Sequence, residues 1–177
     1  MMRKRSSLPA LAVFVVFALA CGGLTGAKWE TVSEGGMSVE MPGKPQKQTQ
    51  TVQSPAGPVT VNILGLERSS EAFMVAYNEF PAQIANSPGL ANPKALLDSG
   101  RDGALRNVNG KLTSERDMTI GNYQGREIVG EVPDKKASFT ARIFWAKPRL
   151  YQAIYISPQG KSITDDGKKF LDSLKIQ

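Results

Sequence analysis

Apolar and polar residues alternate with a period of two through most of this chain. Trp29-Glu30-Thr31-Val32-Ser33 and Met37-Ser38-Val39-Glu40-Met41 flank Glu34-Gly35-Gly36, a pattern that predicts a hairpin. Pro42-Gly43-Lys44-Pro45 breaks it, and Lys47 to Gln53 follows as a β-prone but polar run suited to a sheet edge. Ser54 to Pro58 turns the chain into Val59–Leu66, with Val59, Val61 and Ile63 on one face and Leu64 and Leu66 on the other. Phe73 to Phe80 is apolar on both faces, which predicts a more central strand.

After Pro88-Gly89 the period changes. Asn92 is placed to cap a helix and Pro93 to open it, with Leu97, Ala104, Leu105 and Val108 on one stripe. Gly100 and Gly103 lie inside that helix, each costing about 1 kcal/mol against alanine, and close approach to a sheet is the expected reason. Asn109-Gly110 ends it. Strands then resume over Lys111–Thr119 and Arg126–Val132 around a Gly121–Gly125 turn, and over Ala137–Lys147 and Leu150–Ser157 around Pro148-Arg149. Phe139, Ala141, Ile143 and Trp145 share one face, with Phe144 and Ala146 on the other. Both rows are apolar, so cover is expected on each side of the sheet. A last helix from about Ser162, with Ile163, Phe170, Leu171 and Leu174 on one side, can supply part of it. The fold class is α+β, an antiparallel β-sheet flanked by helices in an α/β/α sandwich.

The first 20 residues follow a different logic. Arg3, Lys4 and Arg5 precede an uncharged run of 12 residues, Pro9 to Ala20. That is short of the roughly 20 needed to span a bilayer as a helix. Ala18-Leu19-Ala20-Cys21 closes it in the manner of an export signal, cut before Cys21 by a lipoprotein peptidase or a general signal peptidase. Cys21 is the only cysteine, so no disulfide can form within the chain, and a lipid on its sulfur is the favoured use of it. The domain plan is residues 1–20 as a cleaved signal, 21–28 as lipidated N-terminus and flexible tether, and 29–177 as one globular domain. The expected location is the bacterial cell envelope, on its periplasmic or outer-surface face, with the membrane itself a partner through the lipid.

Charge changes little once the signal is set aside. The chain carries 22 Lys and Arg against 16 Asp and Glu, and three of the basic residues lie in the signal, so +3 remains after residue 20. That charge is spread out, whereas nucleic-acid binding needs a clustered basic stripe; no nucleic-acid role is expected. With no histidine and one cysteine, the usual zinc sets, Ser-His-Asp triads and Cys-His pairs are excluded. No catalytic, cofactor or metal residue is assigned. Asp98 and Asp102, spaced i, i+4, read as a solvated helix face near Arg101 and Arg106. Asp165-Asp166 suits a helix N-terminus. Trp145, Tyr151 and Tyr155 can share a face of the last hairpin, as core beneath a helix or as a ligand or partner patch.

Several of these pieces resemble the PsbP-like family: Met37–Pro45, Leu97–Ala104, Tyr123-Gln124-Gly125-Arg126-Glu127, Arg149-Leu150-Tyr151 and Phe170–Ile176, in that order over residues 29–177. The family includes photosystem II extrinsic proteins and many bacterial envelope proteins of unknown role. The resemblance implies a fold, a compact antiparallel sheet flanked by helices, and carries no activity with it. It carries no metal residue across, because histidine is among those proposed for the family and this chain has none. The expected function is a lipid-anchored envelope protein with a partner-binding or assembly role. A small-ligand binder and, behind it, a carboxylate-dependent hydrolase are the alternatives.

Overall fold

The computed structural model describes residues 28–54, 57–87, 92–107, 109–161 and 163–177, without the side chains of 52–54, 57, 99, 103 and 107. The export signal, Cys21 and all of the tether but Lys28 lie outside the described residues, as do Pro55-Ala56, Pro88-Gly89, Val108 and Ser162.

Two sheets, three α-helices and one 3-10 turn (Pro133–Lys135) form the described part. Strands β1 (Glu30–Glu34) and β2 (Met37–Met41) make the expected hairpin, and β10 (Lys175–Ile176) adds to β2 on its other side. The larger sheet runs β3 (Gln46–Ser54), β4 (Gly57–Arg68), β5 (Glu71–Glu79), β9 (Arg149–Pro158), β8 (Ala137–Ala146), β7 (Tyr123–Val132), β6 (Lys111–Ile120). Every neighbouring pair is antiparallel. The polar run is thus an edge, and the doubly apolar strand β5 has a partner on each side. Between β5 and β6 lie α1 (Ala82–Ala85) and α2 (Pro93–Asn107), which carry the chain from mid-sheet to the far edge. That route lays α2 against β7 and β8. Helix α3 (Asp165–Asp172) packs on β2 and β9, from the opposite side.

Two apolar rows therefore receive two covers. On one face Leu64, Phe73, Val75, Phe144, Tyr151 and Tyr155 are buried against Met37, Val39 and Met41 of the small sheet and Phe170, Leu171 and Leu174 of the α3 region. On the other, Ile128, Ile143, Trp145 and Leu150 pack with Leu97 and Ala85. The α/β/α layering expected from the two apolar rows is what forms, with a three-stranded sheet beside α3 in one outer layer.

Several boundaries differ from the sequence reading. The β6–β7 turn is only Gly121-Asn122, and Tyr123 to Gly125 already lie in β7. Gly125 faces Phe144 across the β7–β8 ladder and Gly130 faces Phe139. A Cβ on Gly125 would sit 2.2 Å from Phe144 Cδ1 and 2.5 Å from the Ile143 carbonyl oxygen, so the ring occupies the side-chain space there. The β8–β9 turn is Lys147-Pro148, one residue earlier than expected. Helix α3 starts at Asp165, where Thr164 accepts a hydrogen bond from the Gly167 amide at 3.1 Å. It stops at Asp172, which frees Lys175-Ile176 to pair with β2.

Close approach does not explain Gly100. Nothing lies within 4 Å of where its Cβ would be, and the surroundings of Gly103 lie outside the described residues. A helical glycine that does permit close approach is Gly167 of α3, whose Cβ would stand 2.8 Å from Tyr155 Cζ. Asn92 caps α2 as expected, its Oδ1 accepting from the Lys94 amide at 3.0 Å.

Candidate functional site

Strand parity puts Arg126 in the same row as Ile128 and Val132, facing α2, and its side chain is only 3% exposed. A buried guanidinium must be paired. Arg126 donates to Asp98 of α2, to Asp117 of β6 at 3.1 and 3.2 Å, and to Glu115 of β6 at 3.4 Å. Arg101, one helical turn beyond Asp98, donates to both Glu115 oxygens at 2.8 and 2.6 Å and to Asp102 at 2.7 Å. Asp98 and Asp102 are thus drawn together with Arg101, as the sequence suggested. The centre of the cluster is Arg126, which the sequence reading did not select. Arg106 is exposed and makes no ion pair among the described residues. Beside the cluster an open recess of about 530 Å³ is lined by Lys94, Leu97, Asp117, Met118 and Arg126.

The hydrogen bond from Arg126 holds the Asp98 carboxyl below its ordinary range, against an opposing effect of burial. Burial acts to lower the Arg126 pKa, but Asp98, Asp117 and Glu115 outweigh it and raise the guanidinium. Chemically this is a lock between helix and sheet. A general acid needs a carboxyl raised toward neutrality, and Asp98 is moved the other way.

On the opposite face Glu127 bridges Arg116 and Arg142 at 2.7 Å each, and Arg142 reaches Asp172 of α3 at 2.7 Å. Burial would raise the Glu127 carboxyl, yet the two arginines together hold it low. A second recess, about 390 Å³, is lined by Arg68, Glu71, Tyr155, Lys161 and Thr164. Here Asp166 pairs with Arg68, while Asp165 and Asp166 occupy the first turn of α3, as their position suggested. Tyr155 donates to Glu71 and lies 3.0 Å from the Thr164 hydroxyl. Burial and that bond to Glu71 push its phenol up.

The aromatic grouping is corrected. Trp145 stands opposite Leu150 in the β8–β9 ladder and lies in the α2-facing core, 5.6 Å from Phe80. Tyr151 and Tyr155 have the other parity and are 1–2% exposed on the α3 side. In this hairpin the odd residues of β8 stand opposite the even residues of β9, so Trp145 shares its face with Leu150, Gln152 and Ile154 and not with Tyr151 or Tyr155. Tyr151 donates to the Gly35 carbonyl at 2.7 Å and Tyr77 to Glu34 at 2.8 Å, fastening the β1–β2 turn to the main sheet. Gly35 and Gly36 there have φ of +59° and +79°, which an L side chain rarely adopts. Burial first, then the bond to Glu34, pushes the Tyr77 phenol up to about 12. Asn78, 1% exposed with neither amide atom paired, is a further buried polar group absent from the sequence reading.

No group of three or more potential metal ligands occurs among the described residues. No protein-family model and no curated protein matches the sequence. The fold, in contrast, is similar to the solution structure of cyanobacterial PsbP (CyanoP) from Synechocystis sp. PCC 6803. The TM-score is 0.55 at 12% identity, over 89% of this chain and 98% of that one.

The chain has a PsbP-like fold. Within this fold the Arg126 and Glu127 clusters hold charged side chains against one another, and the α2 lock makes stability depend on pH. Asp98 and Glu127 have folded-state pKa values below their unfolded ones, so from about pH 5 down to 3 the unfolded chain binds more protons. Stability is full above that window and falls as pH drops through it. Urea unfolding at pH 7, 5, 4 and 3 checks the slope. Arg126→Ala should cost about 1.5–3 kcal/mol at pH 7, the range for a charged hydrogen bond, and flatten the acid limb. An unchanged slope in that variant would remove Asp98 from the account.

Proposed function

We propose that this chain is a lipid-anchored, non-catalytic accessory protein of the bacterial cell envelope. Residues 1–20 are cleaved, Cys21 carries the lipid, and residues 29–177 form a domain that binds a protein partner. The Arg126 cluster supports this reading most directly. Its carboxylates lie beside the larger recess, yet guanidinium groups keep Asp98 ionised and tied to the fold. The likeness to CyanoP adds a fold in keeping with an accessory role, and the Ala18-Leu19-Ala20-Cys21 pattern supplies the anchor.

Each buried CH₂ of an acyl chain contributes about 0.8 kcal/mol, so several chains hold a protein to a bilayer almost irreversibly. Cys21→Ala should therefore move the protein from the membrane pellet to the soluble fraction, a shift of at least about tenfold. Equal fractionation of variant and wild type, or a free thiol at Cys21 by mass spectrometry, sinks the anchor. Crosslinking in intact cells followed by pull-down tests the partner: recurrent recovery of one envelope protein is expected, and recovery of none counts against binding.

A further inference from the structure

The two open edges of the seven-stranded sheet are built differently. Strand β6 carries Glu115, Arg116 and Asp117 at its middle and a register irregularity between Leu112 and Ser114. Charges and bulges of that kind discourage edge-to-edge pairing. A two-fold axis through the middle of β6 would set Glu115, Arg116 or Asp117 against its own copy. Strand β3 has no such protection. It keeps unbroken register with β4 over nine residues, Gln46 to Ser54, and Lys47 is its only charge. Lys47 already pairs with Glu34 in its own chain. The strand contains no proline, and Lys47, Thr49 and Thr51 are exposed. No described strand pairs with its outer side.

We propose that β3 is a homodimer edge, where two copies of this chain pair antiparallel into one continuous sheet. The occupant follows from self-complementarity. With the two-fold axis at Gln50, Gln50 faces Gln50 of the second copy, Thr49 faces Thr51, and Lys47 faces Gln53. No like charges oppose, and paired Gln and Thr side chains can exchange hydrogen bonds. An axis normal to the sheet leaves equivalent faces on the same side. Both copies then present the small sheet, with Trp29 at its start, toward one side. That geometry suits two chains anchored in one membrane, although the pairing itself does not depend on the anchor.

Disulfide trapping in cells expressing the full chain tests the edge, with wild type as the control for Cys21. Directly opposed Cβ atoms lie about 4.5–5.5 Å apart, so Gln50→Cys should yield about tenfold more reducible dimer than Arg116→Cys on β6. In sedimentation of the purified full chain, wild type should run as two chains. Thr49→Lys/Thr51→Lys and Thr49→Glu/Thr51→Glu should each run as one chain, and their mixture should restore the dimer. Restoration also shows that both variants fold. A single-chain wild type at about 100 µM, well above the micromolar range of specific pairing, overturns the proposal. So do equal trapping by the two cysteine variants, a Gln50→Cys link to a different protein, and a mixture that stays monomeric. None of these readouts requires the lipid, so their failure is separate from failure of the Cys21 anchor.

Discussion

Phe73→Ala should lower the unfolding free energy by about 3–5 kcal/mol, the usual cost of deleting a fully buried phenyl ring. Phe73 is fully buried in β5, where the main sheet meets its α3-side cover. Its ring lies 5.4 Å from Tyr155 and 5.6 Å from Phe170, the latter edge to face. Truncation therefore removes two aromatic contacts as well as apolar burial, and leaves a cavity between sheet and helix that neither layer can close alone. Thermal unfolding should shift down by about 6–20 °C for a protein of this size. A shift below about 3 °C would mean that α3 collapses into the gap, and that the layer is softer than its packing indicates.

Gly125→Ala should be comparably severe, at about 3 kcal/mol or more, the upper end for overpacking. The added methyl would meet two atoms of the Phe144 ring and the Ile143 carbonyl oxygen. Phe144 is itself fully buried, and the carbonyl belongs to the neighbouring strand, so rotation of one side chain cannot relieve both contacts. The double variant Gly125→Ala/Phe144→Leu separates the causes. If the ring is the main obstacle, the pair recovers much of the loss caused by Gly125→Ala alone. Urea midpoints of the two single variants and the pair measure the coupling. Additive losses would assign the damage to the β8 backbone.

These residues also mark how far the sequence could be followed. Period-two patterning located the strands, and the edge character of β3 and interior position of β5 follow from their polarity alone. The α2 cap was legible because Asn92-Pro93 is a local signal. Turn lengths were not: Gly121 to Gly125 resembles one loop until Phe144 is known to fill the space beside Gly125. The turn at Lys147-Pro148 sets Trp145 opposite Leu150, and cross-strand parity, which a one-position move of a two-residue turn leaves unchanged, puts it away from Tyr151 and Tyr155. Strand β10 was hidden because two residues carry no periodicity, and their pairing to β2 depends on a partner far along the chain. Arg126 could have been found, since it continues the Ile128–Val132 parity into a buried row. Its partner Asp98 on α2 is set by the crossover and not by any local pattern, whereas Asp117 is its direct cross-strand neighbour in the β6–β7 hairpin.

The small sheet joins opposite ends of the described chain: the Glu40 amide donates to the Ser173 hydroxyl across 133 positions, and the Gln177 amide to the Gly36 carbonyl. In a polypeptide that emerges N-terminus first, Met37, Val39 and Met41 would wait for Phe170, Leu171 and Leu174, made more than 125 residues later. The small sheet would then close only when Lys175 and Ile176 reach β2.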